Sequence, residues 1–103
     1  MKLRNIRIFS YENGGYTYED HRGTAELEEG SQVEDGGSQR RCDGSVRLMT
    51  KKDVKAEPGD YVSLFTEEKP DKNRDFYITA VKDNRRGNLP HWRLFVGKRR
   101  RRT

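Results

Sequence analysis

Hydrophobic and polar positions alternate most regularly over residues 75–98, DFYITAVKDNRRGNLPHWRLFVGK. Phe76, Ile78 and Ala80 alternate with Tyr77, Thr79 and Val81, the two-residue period of a strand with two distinct faces. The period lapses over the polar residues 83–88 and resumes with Trp92, Leu94 and Val96 against Arg93, Phe95 and Gly97. Asn and Gly tolerate left-handed backbone and Pro90 cannot donate to a ladder, so the interruption reads as a loop. The stretch predicts an antiparallel hairpin with a long polar tip. Its largest apolar groups, Trp92 and Phe76, place the expected core on their face, with Ile78.

The remaining alternating runs are shorter. Residues 3–9 predict a first strand with Ile6 and Ile8 on one face and Arg7 on the other. Residues 45–49 predict another, and Pro58-Gly59-Asp60 reads as a turn delivering the chain into a strand over 61–65. Residues 51–54 and 66–74 are polar connections. Between the first strand and the second a long polar loop is expected at about 11–44, rich in Gly, Glu, Ser and Gln. Within it, residues 24–28 read either as a short strand or, from Glu26, as the start of a helical turn. Residues 30–44 read as a long loop, ordered only on assembly. About five strands with long connections and no clear helix predict an all-β domain, a small antiparallel barrel or sandwich over residues 1–97.

Composition changes this picture in two ways. Hydrophobic residues make up 30% and charged residues 38%, so the apolar core is small and the chain gains from burying surface against neighbours. Lys and Arg total 22 against 17 Asp and Glu, an excess contained in the run Lys98, Arg99, Arg100, Arg101 and Arg102. The basic character therefore belongs to a tail, residues 98–103, and not to the domain. A second asymmetry lies beneath it, because residues 12–36 are acidic and residues 69–102 basic. A chain so divided can dock on copies of itself or on oppositely charged partners. With Cys42 as the lone cysteine there is no intrachain disulfide and no Cys-based zinc site. No apolar run approaches the length of a membrane span, and a soluble protein is expected.

Candidate chemistry is sparse. His21 and His91 are the histidines, and neither has a nucleophile or carboxylate at a spacing that assigns it a catalytic role. His91, at a strand start beside Trp92, reads as structural or interfacial. The carboxylates lie in solvated stretches, and Glu34-Asp35-Gly36 alone does not make a calcium loop. No enzyme, metal or cofactor is expected. The tail, Lys98 to Arg102, reads either as a phosphate-neutralising cluster or as a solvated terminus. Tyr61, Tyr77 and Phe95 read either as a stacking platform for single-stranded nucleic acid or as filling of a second face. Arg85 and Arg86, at the hairpin tip, are either partner contacts or solvated.

At Pro58-Gly59-Asp60-Tyr61, at Asp83-Asn84-Arg85-Arg86-Gly87 and at Leu89-Pro90-His91-Trp92-Arg93, the sequence resembles the small head–tail connector proteins of long-tailed bacteriophages. These are the minor capsid, head-closure or stopper proteins, and the resemblance covers about the last half of the chain and the opening strand. It implies a β-barrel subunit in a homo-oligomeric ring of the virion neck, made in the host cytoplasm, with no catalytic activity. The implied partners are copies of itself, the adjoining adaptor or portal and tail proteins, and non-specifically the DNA in the channel, toward which a long loop projects. The alternative is a small nucleic-acid-binding β-barrel using the basic tail and aromatic face. A third reading is an inhibitor that binds a host protein through its charged surface.

Overall fold

The computed structural model describes residues 2–27 and 44–98. It is all-β, with six strands: β1 (Arg4–Glu12), β2 (Gly15–Leu27), β3 (Gly44–Leu48), β4 (Tyr61–Ser63), β5 (Phe76–Asn84) and β6 (His91–Gly97). They pair antiparallel throughout and close into a barrel in the order β1-β2-β3-β6-β5-β4, with β4 returning to β1. Of the small antiparallel barrel and the sandwich expected from the sequence, the barrel is the observed fold, with six strands in place of about five. Closure gives each strand a partner on both sides over at least part of its length.

The core is aliphatic. Ile6 and Ile8 of β1, Val46 and Leu48 of β3, Val62 of β4, Ile78 of β5 and Leu94 and Val96 of β6 fill the interior. Trp92 and Phe76 do share this inner face, but they are half-buried at its margins and the aliphatic groups make the centre. A six-stranded barrel interior is narrow, which favours branched aliphatics over rings. The antiparallel hairpin expected over 75–98 forms, with Ile78 opposite Val96, and its strands run on to Asn84 opposite His91, which shortens the polar tip. The hairpin carries one further correction. A β-bulge between Ile78 and Ala80 adds a residue and turns Val81, not Ala80, toward Leu94 and the core.

The largest correction concerns the polar stretch expected at about 11–44. Its first part is not loop: β1 runs on to Glu12 and β2 occupies Gly15–Leu27. The two are joined at Asn13-Gly14, both with positive φ (49° and 82°), and Glu12 pairs with Gly15. This is the two-residue hairpin turn whose twist matches that of the strands, and Asn-Gly is its preferred sequence. The short strand read at residues 24–28 is the end of β2, paired with β3 over Thr24–Leu27, and hydrophobic periodicity missed the rest of β2 because Gly15–Gly23 has little apolar face to display. The expectation for residues 30–44 lies, apart from Gly44, outside the described residues.

The strand expected over 61–65 is shorter. The Ser63 hydroxyl accepts the Phe65 amide at 3.0 Å, a local turn that draws the chain out of the sheet after Ser63. The turn at Pro58-Gly59 is present, with the Asp60 amide donating to the Glu57 carbonyl at 3.0 Å and Gly59 at φ 99°. These are the features of a type II turn, with Pro at its first central position and Gly at its second.

Candidate interaction surfaces

The hairpin tip is built around Arg85. Its guanidinium grips Asp83 through Nε and a terminal nitrogen, each at 2.9 Å, and also reaches Asp53 Oδ1 at 3.0 Å and the Lys51 carbonyl at 3.1 Å. The same group lies over the Trp92 ring, 4.5 Å from its centroid, while Trp92 Nε1 donates to the Lys52 carbonyl at 3.0 Å. The Arg85 guanidinium holds the Asp83 carboxyl below its usual range, and the two acids raise Arg85 in turn. Arg85 therefore ties the tip to residues 51–53 and caps Trp92 at one end of the barrel. Arg86 is the exposed member of the pair.

His91 is occupied on both sides of its ring. Nδ1 lies 2.9 Å from the Leu89 carbonyl and Nε2 lies 3.2 Å from the Asn84 amide nitrogen. A ring that donates from Nδ1 and accepts at Nε2 satisfies both contacts. The imidazole thus closes the tip loop. His21, on β2, pairs through Nε2 with Glu19 Oε1 at 3.0 Å. Lys98 places its ammonium over Phe76, 5.0 Å from the ring centroid. The rest of the tail, Arg99, Arg100, Arg101 and Arg102, lies outside the described residues. Among the described residues no three His, Cys, Asp or Glu side chains are grouped to hold a metal ion.

The structure does not gather Tyr61, Tyr77 and Phe95 into one platform. Tyr61 and Tyr77 are register partners on β4 and β5, but Phe95 sits on a different row of β6, opposite Ser45. Tyr61 is instead one link in an outer-face row that crosses β2, β1, β4 and β5 as Tyr18, Phe9, Tyr61 and Tyr77. Phe9 meets Tyr18 and Tyr16 edge to face at 5.7 and 6.2 Å, and Tyr11 meets Tyr16 at 5.0 Å. One row along, Arg7 forks onto Asp20 at 2.7 and 2.9 Å, donates to the Glu67 carbonyl at 2.7 Å and lies 3.7 Å from the Tyr18 ring centroid. Although Phe9 and Arg7 point outward, this layer leaves them only 1% and 8% exposed.

The face across the barrel is cationic. Arg47 of β3 is in register with Arg93 of β6, and Arg93 with Lys82 of β5, so three cations lie side by side on the outer surface. Thr24 of β2 begins the row, and Arg22 stands one row nearer the hairpin tip. Among the described residues none of the three is in an ion pair, whereas Arg7, Arg74 and Arg85 each have an acid. Arg93 lies over the Phe95 ring at 5.2 Å, and its Nε is buried without a hydrogen-bond acceptor. No local signal in the sequence marks this row, because its members come from positions 47, 82 and 93 and meet only through the register of three strands. The tyrosine layer was closer to legible: Tyr16 and Tyr18 alternate directly after the Asn13-Gly14 turn signal.

No helix among the described residues is long and apolar enough to cross a membrane. Comparison with known protein families, with curated proteins and with solved structures yields no match.

Proposed function

We propose that the chain is a structural subunit of a phage virion neck, one of several copies in a ring that joins the DNA-filled head to the tail. The placement in a neck rests on the sequence likeness at residues 58–61, 83–87 and 89–93. The observation that carries the ring is the division of the barrel's exterior. A tyrosine-rich layer covers β2, β1 and β4, and a cationic row with no ion pair among the described residues crosses β3, β6 and β5 on the opposite side. A ring is built from heterologous contacts, in which one surface of each subunit meets a different surface of the next. A subunit with two chemically unlike sides suits that geometry, and the ends of the barrel remain for adaptor or portal and tail proteins.

The proposal assigns no catalysis. Both ring nitrogens of His91 and Nε2 of His21 are taken by neighbours within the chain. A free nucleic-acid-binding barrel is the second reading, favoured by the same cationic row, and copy number separates the two. Mass measurement of the purified chain over a range of concentrations, with electron microscopy of particles, tests the reading. A closed many-copy ring, in solution or at the particle neck, is the expected result. A chain that is monomeric at every concentration and absent from particles overturns it.

A further inference from the structure

The geometry points to the outer face of β3, β6 and β5 as a binding surface for the phosphate backbone of duplex DNA, engaged without regard to base sequence. Arg47, Arg93 and Lys82 stand on adjacent antiparallel strands in direct register, and neighbouring strands lie only about 4.8 Å apart. Like charges placed directly opposite one another destabilise a sheet. The fold neutralises its cations elsewhere: Arg7 has Asp20, Arg74 has Asp75 and Glu67, Arg85 has Asp83 and Asp53. On this row it supplies no acid among the described residues, and the nearest on the same face, Glu26, stands beside Ser45 one row away. An anion from outside the chain would relieve the repulsion.

Two details choose the kind of anion. A row of cations across three strands matches a line of phosphates better than a single ion, and Arg22 and Arg86 continue the positive surface toward the tip. Phe95, the aromatic group beside the row, already carries the Arg93 guanidinium over its ring. Base stacking, on which single-strand binding relies, therefore has no free ring there, while phosphate contact needs none. What remains is electrostatic contact with a backbone, the sequence-independent part of DNA binding. This inference does not rest on the ring: an isolated barrel that never assembles would still bind duplex, and a ring without duplex affinity would sink this inference alone.

The test is fluorescence anisotropy with a short labelled duplex, a scrambled duplex, a single strand of equal length and polyglutamate as competitor. Arg99 to Arg102 are changed to Gln in every protein used, so that the tail contributes nothing. The full chain in that form should bind both duplexes alike and the single strand more weakly. Adding Arg47→Gln, Lys82→Gln and Arg93→Gln should weaken duplex binding at least about tenfold and flatten the slope of log affinity against log salt by roughly 2–3, near 0.9 for each phosphate no longer neutralised. Circular dichroism and melting confirm the fold. If Arg93→Gln perturbs it, the double variant of the two exposed ends, Arg47→Gln with Lys82→Gln, should still flatten the slope by about 2. An unchanged slope in the folded variants, or tighter binding of the single strand or of polyglutamate than of duplex, overturns the assignment.

Discussion

Arg7 leaves β1 on the solvent side and ends almost completely covered, and its partners explain why that is tolerated. A guanidinium without water needs its donors met, and the Asp20 carboxylate and Glu67 carbonyl meet them in a planar fork beneath the Tyr18 ring. The hydrogen bonds from Arg7 hold the Asp20 carboxyl below its ordinary range. A carboxyl lowered in the folded state contributes stability above its unfolded pKa, near 3.9, and that contribution is lost as pH falls through the folded value. Asp20→Asn should therefore lower the melting temperature at neutral pH and make it less sensitive to acid below about pH 4. Thermal melts from neutral to strongly acidic pH, compared with the parent, check this. Trp92 is the opposite case, an expected core residue that proves marginal. Its half-buried ring, bonded to the Lys52 carbonyl and covered by Arg85, should cost about 2 kcal/mol on Trp92→Ala, below the ~3–5 kcal/mol of a fully buried aromatic. Denaturant unfolding of the variant measures it.

At the scale of elements, the β1–β2 hairpin is the least conventional part. β1 pairs with β4 only over Arg7–Phe9, and β2 with β3 only over Gly23–Leu27, so the hairpin beyond those pairings continues as a two-stranded arm. The segment between β3 and β4 supports the arm's inner side. Lys55 pairs with Glu12, the Lys55 amide donates to Glu19 at 3.4 Å, and Ser10 donates to Asp60 at 3.2 Å. Gly23 marks the point where β2 leaves the arm and joins the barrel. A Cβ there would fall on the Arg47 carbonyl and crowd Ile6 Cδ1 at 3.1 Å. Backbone cannot yield as a flexible side chain can. Gly23→Ala should therefore destabilise the fold by at least about 1–3 kcal/mol and expose β3 amides to exchange first. Protection of β3 equal to the parent's would contradict this placement. The same arm shows where sequence reading ends. Strands with an apolar face, such as β1, β3 and β6, declare themselves by alternation. β2 alternates Tyr, Asp and Arg outward against Thr, Glu and His inward, so it has the period without the hydrophobicity, and its signal lay in Asn13-Gly14. The bulge at Thr79 has no mark in the sequence at all, because register is decided across strands. The cationic row is hidden for the same reason, and of the tip residues the sequence singled out, Arg85 and His91 prove bonded within the chain.

For the whole molecule, the arm and the cationic face lie on opposite sides of a closed barrel, and a ring would use them differently. Binding energy at protein interfaces concentrates in a few aromatic or Arg anchors ringed by neutral neighbours. Tyr11 is the candidate anchor on the arm. It is 64% exposed, lies near the turn and touches Tyr16 across the hairpin, while the barrel core lies elsewhere. Removing it takes little from folding and much from any surface that receives it. Tyr11→Ser should leave the monomer's unfolding free energy within roughly 0.5 kcal/mol of the parent, as for an ordinary surface substitution. Its assembly should be weakened by about tenfold or more, the effect expected when an anchor worth at least about 1.4 kcal/mol is deleted. Native mass spectrometry and melting of the same samples separate the two effects. Rings formed at the parent's concentration by a normally folded Tyr11→Ser variant would remove the arm from the interface. The neighbour-binding role would then pass to other exposed apolar groups outside the strands, Leu3, Phe65 and Leu89.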